Sequence, residues 1–93
     1  MPPPSVTVVL PKMVAEAVGE ARIRVRAATL RGALEEAYRL HPALRHHLCE
    51  QTGGFRTHVL CFHNAVNLRE VGTLDRSLQE GDEIRFLQAI SGG

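Results

Sequence analysis

Ninety-three residues allow one domain with a single modest core, and exclude a complete two-domain enzyme. The chain is 44% apolar and 23% charged, ordinary for a globular domain, and its net charge of +1 with dispersed Lys and Arg gives no electrostatic footprint for nucleic acid. One Tyr, three Phe and no Trp leave little for base stacking, and no apolar run is long enough to span a membrane.

The opening segment, Met-Pro-Pro-Pro-Ser, lacks the basic and apolar regions of a signal peptide, so the cytoplasm is the expected location. Residues 1–4 read as a disordered, polyproline-type extension ahead of a folded domain at residues 5–88. Ser5–Leu10, rich in β-branched residues, predicts a first strand. Pro11 stops its pairing, and residues 12–20 lead to a turn near Gly19. Ala21–Ala27 alternates strictly, with Ile23, Val25 and Ala27 on one side and Arg22, Arg24 and Arg26 on the other. This predicts the second arm of an antiparallel pair, its arginines on a solvated face.

Thr29 is a helix cap, and Leu30, Leu34, Ala37 and Tyr38 recur at helical spacing until Pro42 ends the run. Residues 42–50 predict a further short turn with Leu44 and Leu48 inward. Thr52–Phe55 is a loop, and residues 56–64 hold a third strand that turns at Asn64-Ala65. Val66–Glu70 predicts a short fourth strand, Leu74–Leu78 a helical turn after Gly72, and Glu83–Gln88 the last long strand after a Gly81-Asp82 turn. The expected class is α+β, with a mixed sheet of about five strands wrapped over one main helix in the order of the β-grasp, or ubiquitin-like, fold. The first and last strands are central neighbours in it.

Ordinary side-chain chemistry finds little support. The cluster of His46, His47 and Cys49 has no standard zinc spacing, so no metal is expected. Cys49 and Cys61 are too few for a disulfide framework and read as free thiols, with Cys61 buried and inert in an apolar strand. The glycines lack the Lys-Ser/Thr ending of a phosphate-binding loop.

The segment Gly81–Gly93, GDEIRFLQAISGG, ends in a Gly-Gly pair after an apolar strand. With the strand order above, it resembles the prokaryotic ubiquitin-like sulfur-carrier family (MoaD/ThiS-like), which includes the molybdopterin synthase small subunit and the thiamine and cysteine-synthesis carriers. The resemblance runs from about Val6 onward. It departs at Gln88, where Pro is common, and at Ala65, where Gly or an acid is common. The length and the extra loop near Cys49–Phe55 set it apart from the shorter thiamine-type carriers.

The resemblance implies a carrier rather than an enzyme. The Gly93 carboxylate would be adenylated by an E1-like enzyme and converted to a thiocarboxylate. It also implies no cofactor bound by this chain, ATP used by the activating partner, and a sulfur donor. A sulfur-accepting enzyme, such as the molybdopterin synthase large subunit or a cysteine synthase, completes the set. Glycine has no β-carbon to block approach to its acyl carbon. Ala89, Ile90, Ser91 and Gly92 would be the flexible reach into a partner's channel, within a tail at residues 89–93. Strand alternation adds a docking patch of Leu60, Phe62, Leu68 and Leu87 on the sheet face away from the helix. Two alternatives stay open: a ubiquitin-like modifier that joins its terminus to lysines, and a plain β-grasp interaction domain.

Overall fold

In the computed structural model, which describes residues 1–89, alternation and capping produce the expected strands and main helix. The first strand, β1 (Ser5–Val9), pairs antiparallel with β2 (Arg22–Arg26), setting Val6 opposite Val25 and Val8 opposite Ile23. Ile23, Val25 and Ala27 are buried, and Arg22, Arg24 and Arg26 are exposed. The pairing continues upstream, because the Ala27 N–H donates to the Pro4 carbonyl at 3.1 Å and the Arg26 guanidinium donates to the Pro3 carbonyl at 3.1 Å.

Between β1 and β2 the chain forms a helix, α1 (Lys12–Val18), where the sequence reading placed only a path into a turn. Pro11 starts it with extended backbone, and Gly19 closes it at φ 90°, the left-handed conformation that glycine adopts without a Cβ clash. The main helix, α2 (Leu30–Leu40), begins at Thr29, whose hydroxyl oxygen accepts from the Gly32 N–H at 3.1 Å. It buries Leu30, Ala33, Leu34 and Ala37, one stripe at helical period. Pro42 ends it as expected and opens α3 (Pro42–Leu48), where a missing N–H costs nothing, and Leu44 and Leu48 are fully buried.

The remaining strands are β3 (Val59–His63), β4 (Val66–Asn67) and β5 (Glu83–Gln88). The fourth strand is shorter than read, for the chain turns at Leu68 into the one-turn helix α4 (Leu68–Val71). The helical turn therefore lies before Gly72 rather than after it. Residues 74–78 instead run beside the start of α2, with the Leu30 and Arg31 N–H groups donating to the Arg76 and Leu74 carbonyls, and the Leu78 N–H to the Ala28 carbonyl.

The sheet order is β2-β1-β5-β3-β4. β5 runs parallel to β1 and antiparallel to β3, so the first and last strands are central neighbours in the β-grasp arrangement. Val6, Val8, Ile84 and Phe86 from the central strands pack with Leu30, Leu34, Leu44 and Leu48 to form the core.

Candidate functional site

β5 carries the tail, and the sheet holds it from both sides. Val8 stands opposite Ile84 across the parallel pair, and Cys61 stands opposite Phe86 across the antiparallel one. Ile84 and Phe86 are anchored in the core. The ladder reaches one residue past the strand, where the Ala89 N–H donates to the His58 carbonyl at 2.8 Å. Ile90, Ser91, Gly92 and Gly93, the rest of the expected tail with the terminal carboxylate that the resemblance makes the reacting group, lie outside the described residues.

On the face turned away from α2, Leu87 is 41% exposed and faces Leu60, which is half-buried. Phe62, half-buried on the same face, stands opposite Arg85, whose guanidinium pairs with Glu83 at 2.8 Å. Leu60, Phe62 and Leu87 thus form one apolar area next to the point where the tail begins. Leu68 does not join them. It is 6% exposed and belongs to the core, because Asn67 caps α4 by accepting from the Arg69 N–H, and this helical start turns Leu68 inward. Extending strand alternation through residue 68 would place it outward; Asn67 and Gly72, a cap pair around one turn, are the signals against that reading.

The ThiS family model matches residues 8–93, from β1 through the Gly-Gly pair. The chain belongs to the ThiS family. Solved structures agree on the fold. SAMP1 from Haloferax volcanii is 27% identical at a TM-score of 0.79, with 96% of this chain and 99% of that one covered. The small archaeal modifier protein 1 from Methanosarcina acetivorans is 24% identical at a TM-score of 0.80, with 97% of each chain covered. The Amycolatopsis orientalis BexX/CysO complex contains a chain 22% identical at a TM-score of 0.78, covering 95% of this chain and 99% of its own. Among curated proteins, no sequence matches significantly. The fold is the ubiquitin-like β-grasp, and family and fold together put this chain among ubiquitin-like sulfur carriers and modifiers.

The other candidate groups hold structural positions. Cys49 and Cys61 are free and buried, and burial pushes the Cys61 thiol up to about 12. His46 and His47 meet edge to face at 5.8 Å, and no group of three His, Cys, Asp or Glu gathers among the described residues. His63 points into the core beside Cys61, and its partners explain how a histidine is held there. Its Nδ1 accepts from the Arg76 guanidinium at 3.0 Å, which leaves Nε2–H to donate to Asp82 at 2.8 Å. Partial burial opposes ionisation of Asp82. The hydrogen bonds from His63, the Gln79 N–H and the Asn64 amide outweigh it and hold the carboxyl below its ordinary value. This network ties β3 to the start of β5, at the end of the strand away from the tail.

Proposed function

We propose that this chain is a sulfur carrier whose reacting group is the Gly93 carboxylate. An E1-like partner would bring ATP. A carboxylate oxygen attacks the α-phosphorus, pyrophosphate leaves, and the acyl adenylate forms. Adenylation is needed because a carboxylate, ionised at neutral pH, is a poor acyl donor. Sulfide released by the sulfur donor then attacks the acyl carbon, the carbon–oxygen bond to AMP breaks, AMP leaves, and the thiocarboxylate remains. When sulfur passes to the acceptor, water oxygen returns to the acyl carbon and the carboxylate is restored. In this reading the ATP site and the acid–base groups belong to the partners, and this chain acts as a co-substrate with no cofactor of its own.

The observation that carries this reading is the family match, which continues through Gly93 and includes β5, the strand locked into the centre of the sheet. A rigid β5 fixes where the tail starts, so a partner that holds Leu60, Phe62 and Leu87 knows where to receive residues 89–93. Ala89, Ile90, Ser91 and Gly92 provide the reach, and glycine at the end leaves the acyl carbon open on all sides. Molybdopterin synthesis is our first candidate for the pathway, with a synthase large subunit as acceptor; cysteine synthesis fits the same chemistry. The structural likeness to CysO in complex with BexX supports a carrier that works in the grip of a partner protein.

A second reading has its own support, since SAMP1 is by its name a small archaeal modifier protein. The same acyl adenylate attacked by a lysine amine would give an isopeptide bond. Intact-mass measurement of protein from its native host separates the two. A gain equal to exchange of one oxygen for sulfur, lost on deletion of Gly92–Gly93, supports the carrier. Lysine-linked conjugates without that gain support the modifier. Full activity after deletion of the two glycines overturns both. The co-purifying acceptor, a molybdopterin synthase large subunit or a cysteine synthase, identifies the pathway.

A further inference from the structure

A cleft of about 480 Å³ opens on the helix side of the sheet, between α2, the loop after α3, β3 and α4. Among the described residues its lining includes Leu60 but neither Phe62, Leu87 nor Ala89. Its volume falls within the roughly 300–1,000 Å³ of small-molecule sites. The floor is apolar and neutral. Leu34 and Val59 come from the core, and Phe55 and Leu74 stand half-buried at the edges. The polar atoms in the floor are occupied or protonated. Tyr38 Oη and Cys49 Sγ lie 3.4 Å apart in a hydrogen bond, and burial together with that bond holds the phenol protonated above its ordinary range. Cys61, also in the lining, is likewise held as the thiol.

The mouth differs. Arg31, Arg45 and Arg69 all line it, against a single acid, Glu35. Arg31 is neutralised by Asp75 at 3.0 Å. Arg45 and Arg69 make no ion pair among the described residues. Arg45 is held in place by its own neighbour, with its guanidinium carbon 4.8 Å from the centre of the Tyr38 ring, so a cation is stationed over the entrance at little further entropic cost. Arg69 donates through one nitrogen to the Thr57 carbonyl at 3.2 Å and keeps further N–H groups for another acceptor. An uncharged apolar floor beneath two guanidinium groups in no ion pair is complementary to one kind of ligand.

We propose that this cleft is a second binding site, for a small amphipathic carboxylate, with its hydrocarbon body against Leu34, Phe55 and Leu74 and its anionic head at Arg45 and Arg69. A neutral ligand would gain the floor and forgo the arginines. A cation would meet two like charges at the mouth. Val59 and Cys61 face the cleft and Leu60 reaches its edge, while Phe62 alternates to the opposite side, so occupancy leaves Phe62 and Leu87 open.

Titration of the ¹⁵N-labelled full chain with octanoate, octanamide and octylammonium tests this. Octanoate should give saturable shifts at the Gly53, Gly54, Phe55 and Leu74 amides, with Arg24 and Leu87 unmoved. Octanamide and octylammonium should each bind roughly tenfold more weakly or worse, the difference expected for lost charge-assisted hydrogen bonds. The Arg45→Gln/Arg69→Gln double variant should lose a similar factor for octanoate and nothing for octanamide. Glu35→Gln, which removes the opposing charge, should tighten octanoate. All three positions are exposed, and a melting curve checks that each variant folds. Absence of saturable shifts, equal affinity for octanoate and octanamide, or indifference to the arginine pair overturns the proposal.

Discussion

Leu87 and Leu60 stand directly opposite one another across β5 and β3, on the sheet face that turns away from the main helix. Two residues further along β5 the ladder ends at Ala89, bonded to His58. An apolar pair therefore lies beside the root of the tail, and under the proposed function a partner would hold the domain there to receive the tail. The pair adds little to folding because Leu87 remains 41% exposed. We expect Leu87→Thr, which keeps strand propensity, to change folding stability by no more than about 0.5 kcal/mol. The same change should weaken binding to the adenylating partner by about 1–2 kcal/mol, the loss typical of an interface anchor. Calorimetric titration beside urea denaturation of the two proteins measures both, and unchanged affinity would remove the docking role from this face.

Leu68 gives the opposite split. It sits in the core at the first position of α4, and truncation leaves a cavity. Leu68→Ala should cost about 2–5 kcal/mol of folding stability. Under conditions where the variant is still folded, it should bind the partner as well as wild type does. A denaturation curve and a titration on the same sample check this. Loss of affinity with intact stability would return Leu68 to the docking patch.

These two leucines mark how far the fold and its site can be read from residue order. Ile23, Val25 and Ala27 against three arginines fix the face of β2, and Thr29 and Pro42 bracket α2, because each signal acts over a few neighbouring residues. Leu60, Phe62 and Leu87 follow from alternation once His63 is accepted as an inward residue, and Arg76 and Asp82 are what make it acceptable. Those partners come from the loop before β5, 13 and 19 residues on, so local pattern does not supply them. α4, which lies before Gly72 where residue order suggests a strand, escapes local pattern for a related reason. A helix of four residues has no period to detect, and only its caps betray it. Leu74–Leu78 looks helical in isolation but is drawn out by hydrogen bonds to residues 28–31. The arginine-rimmed cleft was invisible because α2, α3, β3 and α4 each contribute only a few of its residues.

The Asp82 network predicts a pH dependence of known sign. Its folded carboxyl titrates below the unfolded value, so the folded state favours the charged form. The contribution is complete above the unfolded carboxylate range, about pH 4, and is lost as pH falls further through the folded value. Asp82→Asn should therefore destabilise the protein by a constant amount near neutrality, and the gap from wild type should close in acid. Midpoints of urea unfolding across that range test this. A gap that widens as pH falls would contradict the assigned hydrogen bonds.

The proposed carrier handles sulfur, yet neither of its thiols should take part. Cys61 is opposite Phe86 in the centre of the sheet, and burial raises its thiol from 9.0 to about 12. Since the thiolate is the nucleophile, that shift alone lowers the reactive fraction near neutrality by about a thousandfold. Burial then denies reagents access to what remains. Cys49 is buried as well, with its sulfur held by the Tyr38 hydroxyl. Iodoacetamide should label both residues only at the rate of structural opening, with labelling accelerating as urea unfolds the domain. Cys61→Ala should lose some stability and still accept sulfur at Gly93, as read by intact mass in a reconstituted activation assay. Fast labelling of folded protein, or a Cys61→Ala chain that folds but never gains the sulfur mass, would move the chemistry from the backbone terminus to a side chain.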